Sequence, residues 1–308
     1  MPFRLKILQS SLLWTLLFLP QLSSAQIARK GWIDLQKIDF NDRAPVRLVG
    51  EWEFYMADLV VPGELDKKKP QPEYIDFPST WNDLNKRPDP GSGYATYRLR
   101  ILIRPNQALA LELPHFYSSY LLWINGNLIA SNGKVGTSSA QAEPQWLPQI
   151  IDIEADRDTL DLLLQVSNYH HAMGGVREDL ILGNSERLHF KRWVATTSYV
   201  TMCGFLILIS IVVFFIYLLS NQDASLIYLA ALSLTWGLRS MFSNLYLANY
   251  FIPEIPWELC VKIEYLTLYL SMIWAMLFIG RLFRNEVNVM FQYMFCICNG
   301  MFVIITLF

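Results

Sequence analysis

The sequence predicts an all-β sandwich or jelly roll followed by an α-helical transmembrane bundle. Three observations lead to this fold class: period-two alternation between Pro45 and about Gly183, a composition break near Lys191 and Arg192, and long apolar runs after that break. Of the 308 residues 53% are hydrophobic and only 17% are charged, whereas a soluble chain usually carries about a quarter charged residues. The first part of the chain is therefore suited to water and the second to lipid.

Residues 1–25 have the three parts of a cleavable signal peptide. Arg4 and Lys6 form a basic start, residues 7–19 an apolar core, and residues 23–25 (Ser-Ser-Ala) the small side chains that a signal peptidase requires. A retained N-terminal anchor is the alternative. The core is shorter than the roughly 20 residues of a spanning helix, so cleavage is the favoured interpretation.

Residues 26–186 are predicted to form an exported domain of short antiparallel strands. The clearest hairpin is centred on Asn125-Gly126, because both residues tolerate the positive φ of a type I′ turn. Regular alternation of apolar and polar residues marks the other strands. These strands lie at about 46–55, 97–104, 109–113, 149–153 and 160–166. All four cysteines follow residue 192, so this domain must be stable without disulfides.

Five runs, in this order, resemble a known domain. They are Gly50–Tyr55 (GEWEFY), Phe77–Asn82 (FPSTWN), Gly93–Arg98 (GYATYR), Leu122–Gly126 (LWING) and Gln165–His171 (QVSNYHH). They resemble the galactose-binding-like jelly roll of bacterial seven-transmembrane receptors with diverse intracellular signalling modules. The order is also similar to the sugar-binding accessory domain of β-galactosidase and β-glucuronidase enzymes. The resemblance implies a receptor whose jelly roll lies outside the membrane.

Four apolar runs are long enough to cross a bilayer. The predicted parts are a linker at 187–192 and spans at 193–220, 226–248, 259–282 and 288–308. A soluble core would instead need several consecutive helices that are apolar on nearly every face.

The signal peptide predicts the orientation of these spans. It places the jelly roll in the periplasm or outside, in a multi-pass protein of the bacterial inner membrane, and puts Arg281 and Arg284 in the cytoplasm as the positive-inside rule prefers. Lys191 and Arg192 fall on the other side and disagree. A large domain is translocated largely regardless of such charges, so the signal peptide decides.

Ionisable residues interrupt two predicted spans: Arg239 in the second, and Lys262 and Glu264 in the third. A charge inside a span costs about 2.5–3.5 kcal/mol on insertion scales, so a partner is expected. We predict that Arg239 pairs with Glu264. The alternative is that these side chains snorkel to the headgroups, which suits Lys262 as well as pairing does.

The loop after the last long strand is the best candidate for a ligand site. It has two adjacent histidines and a sharp Gly174-Gly175 turn, and aromatic faces with planar hydrogen-bonding groups suit sugars and similar small ligands. Histidines there could also respond to pH. The predicted contacts are Asn168, Tyr169, His170, His171, Arg177, Glu178, Trp81, Tyr94 and Tyr117. The alternative is that the loop plugs the jelly roll or packs on the linker; Trp52 and Trp123 are predicted to be core.

The function class follows from what is present and what is missing. The chain carries no sequence motif of a hydrolase, metalloprotease or phosphate-binding loop, and it suggests no metal, no cofactor and no nucleic-acid partner. The expected partners are a small ligand, with carbohydrate one candidate, the bilayer and a second copy of the chain. The sequence thus predicts the input half of a membrane receptor. The alternative is a membrane-anchored binding or adhesion module without signalling output.

The chain ends at Phe308 within an apolar run. The resembled receptors carry seven spans followed by a cytoplasmic effector such as a cyclase, kinase or phosphatase module. The resemblance therefore implies that this chain is the first part of such a receptor.

Overall fold

The structure, a computed structural model, describes residues 26–64, 71–84, 89–116, 118–220, 223–252 and 254–308. The predicted signal peptide and Tyr117, one of the predicted ligand contacts, lie outside these ranges.

The first part of the chain folds into two facing β-sheets. Along the described residues the larger sheet has the order β4-β3-β5-β10-β7-β8, with β1 added in parallel to β5, and the smaller sheet has the order β2-β11-β6-β9. The strands are β1 (Trp32–Asp34), β2 (Val46–Arg47), β3 (Gly50–Met56), β4 (Glu73–Phe77), β5 (Gly93–Leu102), β6 (Ala108–Leu113), β7 (Ser119–Ile124), β8 (Asn127–Asn132), β9 (Gln149–Glu154), β10 (Thr159–Asn168) and β11 (Ile181–Asn184). A single-turn helix, α1 (Trp81–Leu84), follows β4. The predicted all-β sandwich is confirmed.

Alternation along the central strands places large side chains between the sheets. Tyr97, Leu99 and Ile101 of β5 are fully or almost fully buried, and Trp52 stacks on Phe77 with ring centroids 3.9 Å apart. Burial of aromatic side chains of this size supplies most of the stabilisation that a disulfide-free domain requires.

The alternate residues of β5 face outward and form an ion-pair network. Arg98 donates two 2.7 Å hydrogen bonds to Asp161, and Arg100 pairs with the buried carboxylate of Glu53. The side chain of Trp32 covers Arg100, whose guanidinium carbon lies 4.3 Å from the ring centroid. These groups are partnered within the sheet, so the network is structural.

Positive φ angles set the strand boundaries at two places. Asn125 and Gly126 have φ values of 52° and 85°, and the turn that they form joins β7 to β8 as the sequence predicts. The predicted strand at 46–55 is divided, because β2 belongs to the smaller sheet and β3 to the larger one. Gly50 allows this change of sheet: its φ is +115°, and a Cβ there would lie 2.5 Å from the carbonyl oxygen of Ala28.

The second part of the chain is helical. Its helices are α2 (Ser185–Leu219), α3 (Ala224–Phe242), α4 (Leu247–Phe251), α5 (Trp257–Leu282) and α6 (Val289–Leu307). Within the described ranges, α2, α3, α5 and α6 are the four helices that are long and apolar enough to cross a membrane. The predicted transmembrane bundle is thus confirmed as a fold class.

Helix α2 begins eight residues before the predicted first span. The side chain of Asn184 caps it by accepting a 3.1 Å hydrogen bond from the backbone N–H of Arg187, and Glu186 lies in the positively polarised first turn. The predicted linker at 187–192 is therefore itself helical.

Helix α3 ends earlier than the predicted second span, which was placed at 226–248. Asn244 and Tyr246 have φ values of 60° and 48°, a left-handed conformation that stops the helix before the short α4. The described residues 243–252 and 254–256 consequently form a structured connection between α3 and α5, and it lies beside the β-sandwich.

Candidate functional site

The predicted ligand loop, residues 169–178, is organised by Asn168 at the end of β10. Asn168 is buried, and its amide donates hydrogen bonds to the carbonyls of Gly91 and His171, at 2.8 and 2.7 Å, and of Met173 at 3.3 Å. Its side-chain oxygen accepts from the backbone N–H of His171 at 3.1 Å. Asn168 thus holds the loop in place, and the hydrogen-bonding groups of its side chain are already bonded to the backbone.

The three residues that follow also bond within the sandwich. The Tyr169 hydroxyl donates to the Thr137 carbonyl at 2.6 Å, and His171 Nδ1 accepts from the Met173 backbone N–H at 3.0 Å. Burial, with a smaller effect of the neighbouring Tyr94 phenol, raises the pKa of Tyr169. His170 is exposed, and its Nε2 lies 3.1 Å from the Ala142 carbonyl. Of the three, His170 is the most exposed, and Tyr169 and His171 are half-buried.

Arg177 and Glu178 gather around a histidine that the sequence did not single out. His115 Nδ1 lies 3.7 Å from Glu178 Oε1, and its ring lies 5.2 Å from that of Tyr246 in the α3–α5 connection. Burial lowers the pKa of His115; Arg177 and His171 act in the same direction, and the Glu178 carboxylate opposes them. This charged group therefore lies where the sandwich meets the helical part.

Trp81 and Tyr94 are placed differently from each other. Trp81 is fully buried, and its indole N–H donates a 2.7 Å hydrogen bond to the Tyr97 hydroxyl. Gly174 and Gly175 pack directly on the Trp81 ring, and a Cβ on Gly174 would lie 2.6 Å from it. Tyr94 is half-buried beside Tyr169. Trp81 is a core side chain, and the Gly174-Gly175 turn packs against its ring.

An aromatic cluster joins the sandwich to the α3–α5 connection, and sequence patterns gave no sign of it. We define it as Trp146, Tyr246 and Trp257. The Trp146 ring lies 5.1 Å from Tyr246 and 5.6 Å from Trp257, the second contact being edge-on at 87°. Asn249 of α4 donates a 2.7 Å hydrogen bond to the Trp146 carbonyl. Trp146 lies about a hundred positions before the other two residues, so no local periodicity could reveal the contact.

Beside this aromatic cluster an interdomain cleft of about 640 Å³ opens. One wall is the loop around residues 133–145 together with His170, and the other is the segment 255–258 at the start of α5. It is within the size range of small-ligand sites. His170 is the predicted ligand residue that lines this cleft.

The first turns of α2 connect the β-sandwich to the helical part of the chain. Leu188 is buried against the smaller sheet, Lys191 Nζ lies 2.9 Å from Glu112 Oε2, and Arg192 donates a 3.1 Å hydrogen bond to the Pro148 carbonyl. Asp152 accepts from the Ser185 hydroxyl at 2.5 Å and lies 3.1 Å from His189 Nε2. The Ser185 hydrogen bond, and then His189, lower the pKa of Asp152.

The two predicted intramembrane residues are brought together. Arg239 Nη2 of α3 lies 3.8 Å from Glu264 Oε1 of α5, and Arg239 Nη1 donates a 2.5 Å hydrogen bond to the Glu264 carbonyl. Lys262 instead lies 3.0 Å from Glu258, one turn earlier on the same helix. Across the described residues, no cluster of three His, Cys, Asp or Glu side chains is arranged to hold a metal.

Comparison with known proteins gives a likeness of fold for the β-sandwich and a family match for the helical part. The β-sandwich resembles domains of solved glycosidases: a beta-glucuronidase from an uncultured Clostridium sp. (18% identity, 47% of this chain, 29% of that chain, TM-score 0.35), a Ruminococcus gnavus beta-glucuronidase (17%, 47%, 29%, 0.34) and a glycosyl hydrolase family 2 member from Bacteroides cellulosilyticus DSM 14838 (16%, 45%, 20%, 0.36). The chain spans less than a third of the length of each of these enzymes.

No curated protein matches the chain. Residues 196–308 match the family model for 7TM diverse intracellular signalling, which begins in the first half of α2 and continues to the last residue. This family is receptor-like, and together with the four apolar helices it supports a membrane location. The resemblance stated on the sequence is thus confirmed for the helical part, which has the features of the 7TM diverse intracellular signalling family.

Proposed function

We propose that this chain is the input half of a bacterial membrane receptor. Its β-sandwich lies on the periplasmic or outer side of the inner membrane and senses a small ligand, with carbohydrate as one candidate class. The helices then carry the change across the bilayer. The match of residues 196–308 to a signalling family supports the receptor class.

The observation that carries this proposal is the continuity of α2. It begins at Ser185, directly after β11, and runs without interruption to Leu219. Ser185 and Lys191 bond its first two turns to the smaller sheet, and Arg192 bonds to the Pro148 carbonyl just before β9. A rigid helix held at one end by a folded domain transmits a tilt or shift of that domain, whereas a flexible connection would absorb it.

The arrangement of the other helices supports spans that alternate in direction. The α3–α5 connection returns to the sandwich and contacts it through Tyr246 and Asn249. At the opposite end, Arg281 Nε of α5 lies 3.6 Å from Asp223 Oδ1, which precedes α3. The spans therefore alternate in direction, as the predicted topology requires.

The competing proposal is a membrane-anchored binding module without output. The size of the native product separates the two. An antibody to the β-sandwich, used on a membrane fraction and followed by intact-mass measurement, should detect a protein well above the 35.7 kDa of this chain. A product that ends at Phe308 would contain no effector and would favour the anchored module.

A second experiment tests whether α2 couples the two parts. The full chain, without its native cysteines and held in nanodiscs, carries two spin labels, at Glu73→Cys in β4 and at Leu219→Cys at the far end of α2. The measured quantity is the distribution of distances between the two labels. We expect a narrow distribution that broadens when Gly-Ser-Gly-Ser is inserted after Arg192. The matched insertion of four alanines, which keeps the helix, should leave it narrow. A broad distribution without any insertion would contradict rigid coupling.

A further inference from the structure

The interdomain cleft has two walls of different chemistry, and both belong to described residues. We propose that this cleft, between the 133–145 loop and the start of α5, is a binding site for a neutral, hydroxyl-rich ring compound. The inference deepens the proposed function, because it names the site and the ligand class that the receptor would use.

The wall formed by the sandwich has a backbone that is fixed by hydrogen bonds. Lys134 and Glu143 exchange backbone hydrogen bonds of 2.8 and 2.9 Å, and Gln145 accepts from the Gly133 N–H at 3.2 Å through its side chain. Gly133 has a φ of +62°, and a Cβ there would lie 2.1 Å from the Glu143 carbonyl oxygen. A loop closed this tightly loses little conformational entropy on binding, which favours affinity for a small ligand.

The wall on the helical part supplies an apolar face. Pro256 is the N-cap residue of α5, and the half-buried Trp257 follows it, with its ring 6.4 Å from that of His170. Aromatic and aliphatic surface of this kind contacts the C–H face of a ring, while the hydroxyls at the ring edge remain free to donate hydrogen bonds.

The charges along the cleft favour a neutral ligand. Glu143 and Glu258 are its two carboxylates, and each has a lysine beside it: Lys134 Nζ at 3.5 Å and Lys262 Nζ at 3.0 Å. Their charges are therefore compensated, but carboxylate oxygens still have room for further donors. Hydroxyl groups provide donors without adding charge, whereas an ammonium group would compete with the lysines and an ionised carboxylate has no donor to offer.

A ligand in this position contacts both parts of the chain at once. The 133–145 wall moves with the sandwich, and the 255–258 wall moves with α5. Occupation of the cleft would therefore change the separation of the two parts beside the aromatic cluster. Binding free energy can shift such an equilibrium by as much as the ligand prefers one separation over the other.

Saturation-transfer NMR on the full chain in nanodiscs tests the site with defined probes. The probes are D-glucose, D-galactose and myo-inositol, with choline as a cationic and acetate as an anionic comparison. We expect saturable signal from at least one of the three ring polyols and none from choline or acetate. The variants Glu143→Gln and Trp257→Phe should weaken polyol binding at least about fivefold, a change of about 1 kcal/mol. Glu73→Gln, an exposed carboxylate on β4, is the matched control and should bind unchanged.

The outcomes separate this site from the proposed function. If no ring polyol binds to chain that is shown to be folded by its circular dichroism, the ligand class is wrong. Polyol binding that neither Glu143→Gln nor Trp257→Phe weakens places the ligand elsewhere and also overturns the inference. If the two variants weaken polyol binding but polyol binding leaves the spin-label distance unchanged, the site stands and the receptor proposal fails.

Discussion

The β-sandwich and the helical bundle are stabilised in opposite ways. The sandwich encloses its largest side chains, including Trp52, Trp81 and Tyr97, and has an interior from which water is excluded. The spanning helices leave large apolar side chains such as Phe205 and Ile305 on the outside and meet each other through small or polar residues. Cys203 contacts the Gly237 carbonyl, and the Ser210 hydroxyl donates a 2.8 Å hydrogen bond to the Ala230 carbonyl.

The difference reflects the solvent on each side of residue 192. In water, burying apolar area is the main driving force, so the sandwich concentrates it between the sheets. In lipid that force is absent between helices, so close packing of small residues and hydrogen bonds must hold them together. The same type of substitution should therefore have different consequences in the two parts.

The largest effect is expected for Trp81→Ala in the sandwich core. Removing a fully buried indole leaves a cavity and an unpartnered Tyr97 hydroxyl, which should lower the free energy of unfolding by about 3–5 kcal/mol. Urea titration of the full chain in micelles, followed by hydrogen exchange of β5 and β10, measures this loss. Tyr94→Ala, at a half-buried position nearby, should cost clearly less; equal losses would show that Trp81 is not a core residue.

A smaller effect is expected when Arg239 or Glu264 is changed to glutamine. Each substitution leaves the opposite charge in an apolar span, and should cost about 2 kcal/mol in unfolding by sodium dodecyl sulfate. Arg239→Gln combined with Glu264→Gln should recover about 1 kcal/mol of the summed cost. Lys262→Gln, whose partner lies on its own helix, serves as the control. Strict additivity would refute the pairing.

Loss of the Asn249 amide should have a modest and local effect. Asn249→Ala removes the 2.7 Å hydrogen bond to the Trp146 carbonyl, worth about 1 kcal/mol. Hydrogen exchange in residues 246–252 should accelerate, while β5 and β10 keep their protection. The neighbouring Tyr250→Ala, at a side chain that is 68% exposed, should change neither region. Unchanged exchange in Asn249→Ala would mean that this contact does not hold the connection to the sandwich.

The smallest effect concerns pH at the junction of the two parts. Burial lowers the pKa of His115 in the folded chain, so as pH falls through the ordinary histidine range near 6.5 the unfolded chain binds a proton first. Stability is therefore fully present above that range and is lost as pH falls toward the folded pKa. Thermal unfolding at pH 7.5 and pH 5.5, about one unit either side of 6.5, should show a larger loss for the natural chain than for His115→Gln. Equal losses in both proteins would exclude His115 as the cause.

Local sequence patterns predicted most of the fold. The Asn125-Gly126 turn, the alternation along β5 and the four apolar runs each act through neighbours in the chain, so they can be recognised without the structure. The extension of α2 into the predicted linker also had a local sign, since Asn184 and Glu186 are favourable at a helix start. A separate linker was predicted because the charged residues at 187–192 were given more weight than the N-cap at Asn184.

The site was less predictable because its contacts are distant in the chain. The sequence predicted a loop after β10 as the ligand site, but Asn168 and Tyr169 bond within the sandwich. The fold is needed to show which side chains are already hydrogen-bonded in this way. The contact of Trp146 with Tyr246 and Trp257 crosses from sheet to helices. Neither period two nor period 3.6 relates residues in that way.

The length of α2 determines how far the sandwich stands from the lipid. Its 35 residues extend about 52 Å, whereas the hydrocarbon core is about 30 Å thick. Phe190 and Trp193 are both 63% exposed and stacked on each other, as aromatic residues at headgroup level are. The sheet-bound first two turns therefore end almost at the bilayer surface. We therefore expect a molecule to approach the lower edge of the sandwich along the plane of the headgroups, where a compact solute can enter and a long, stiff polymer would collide with the membrane.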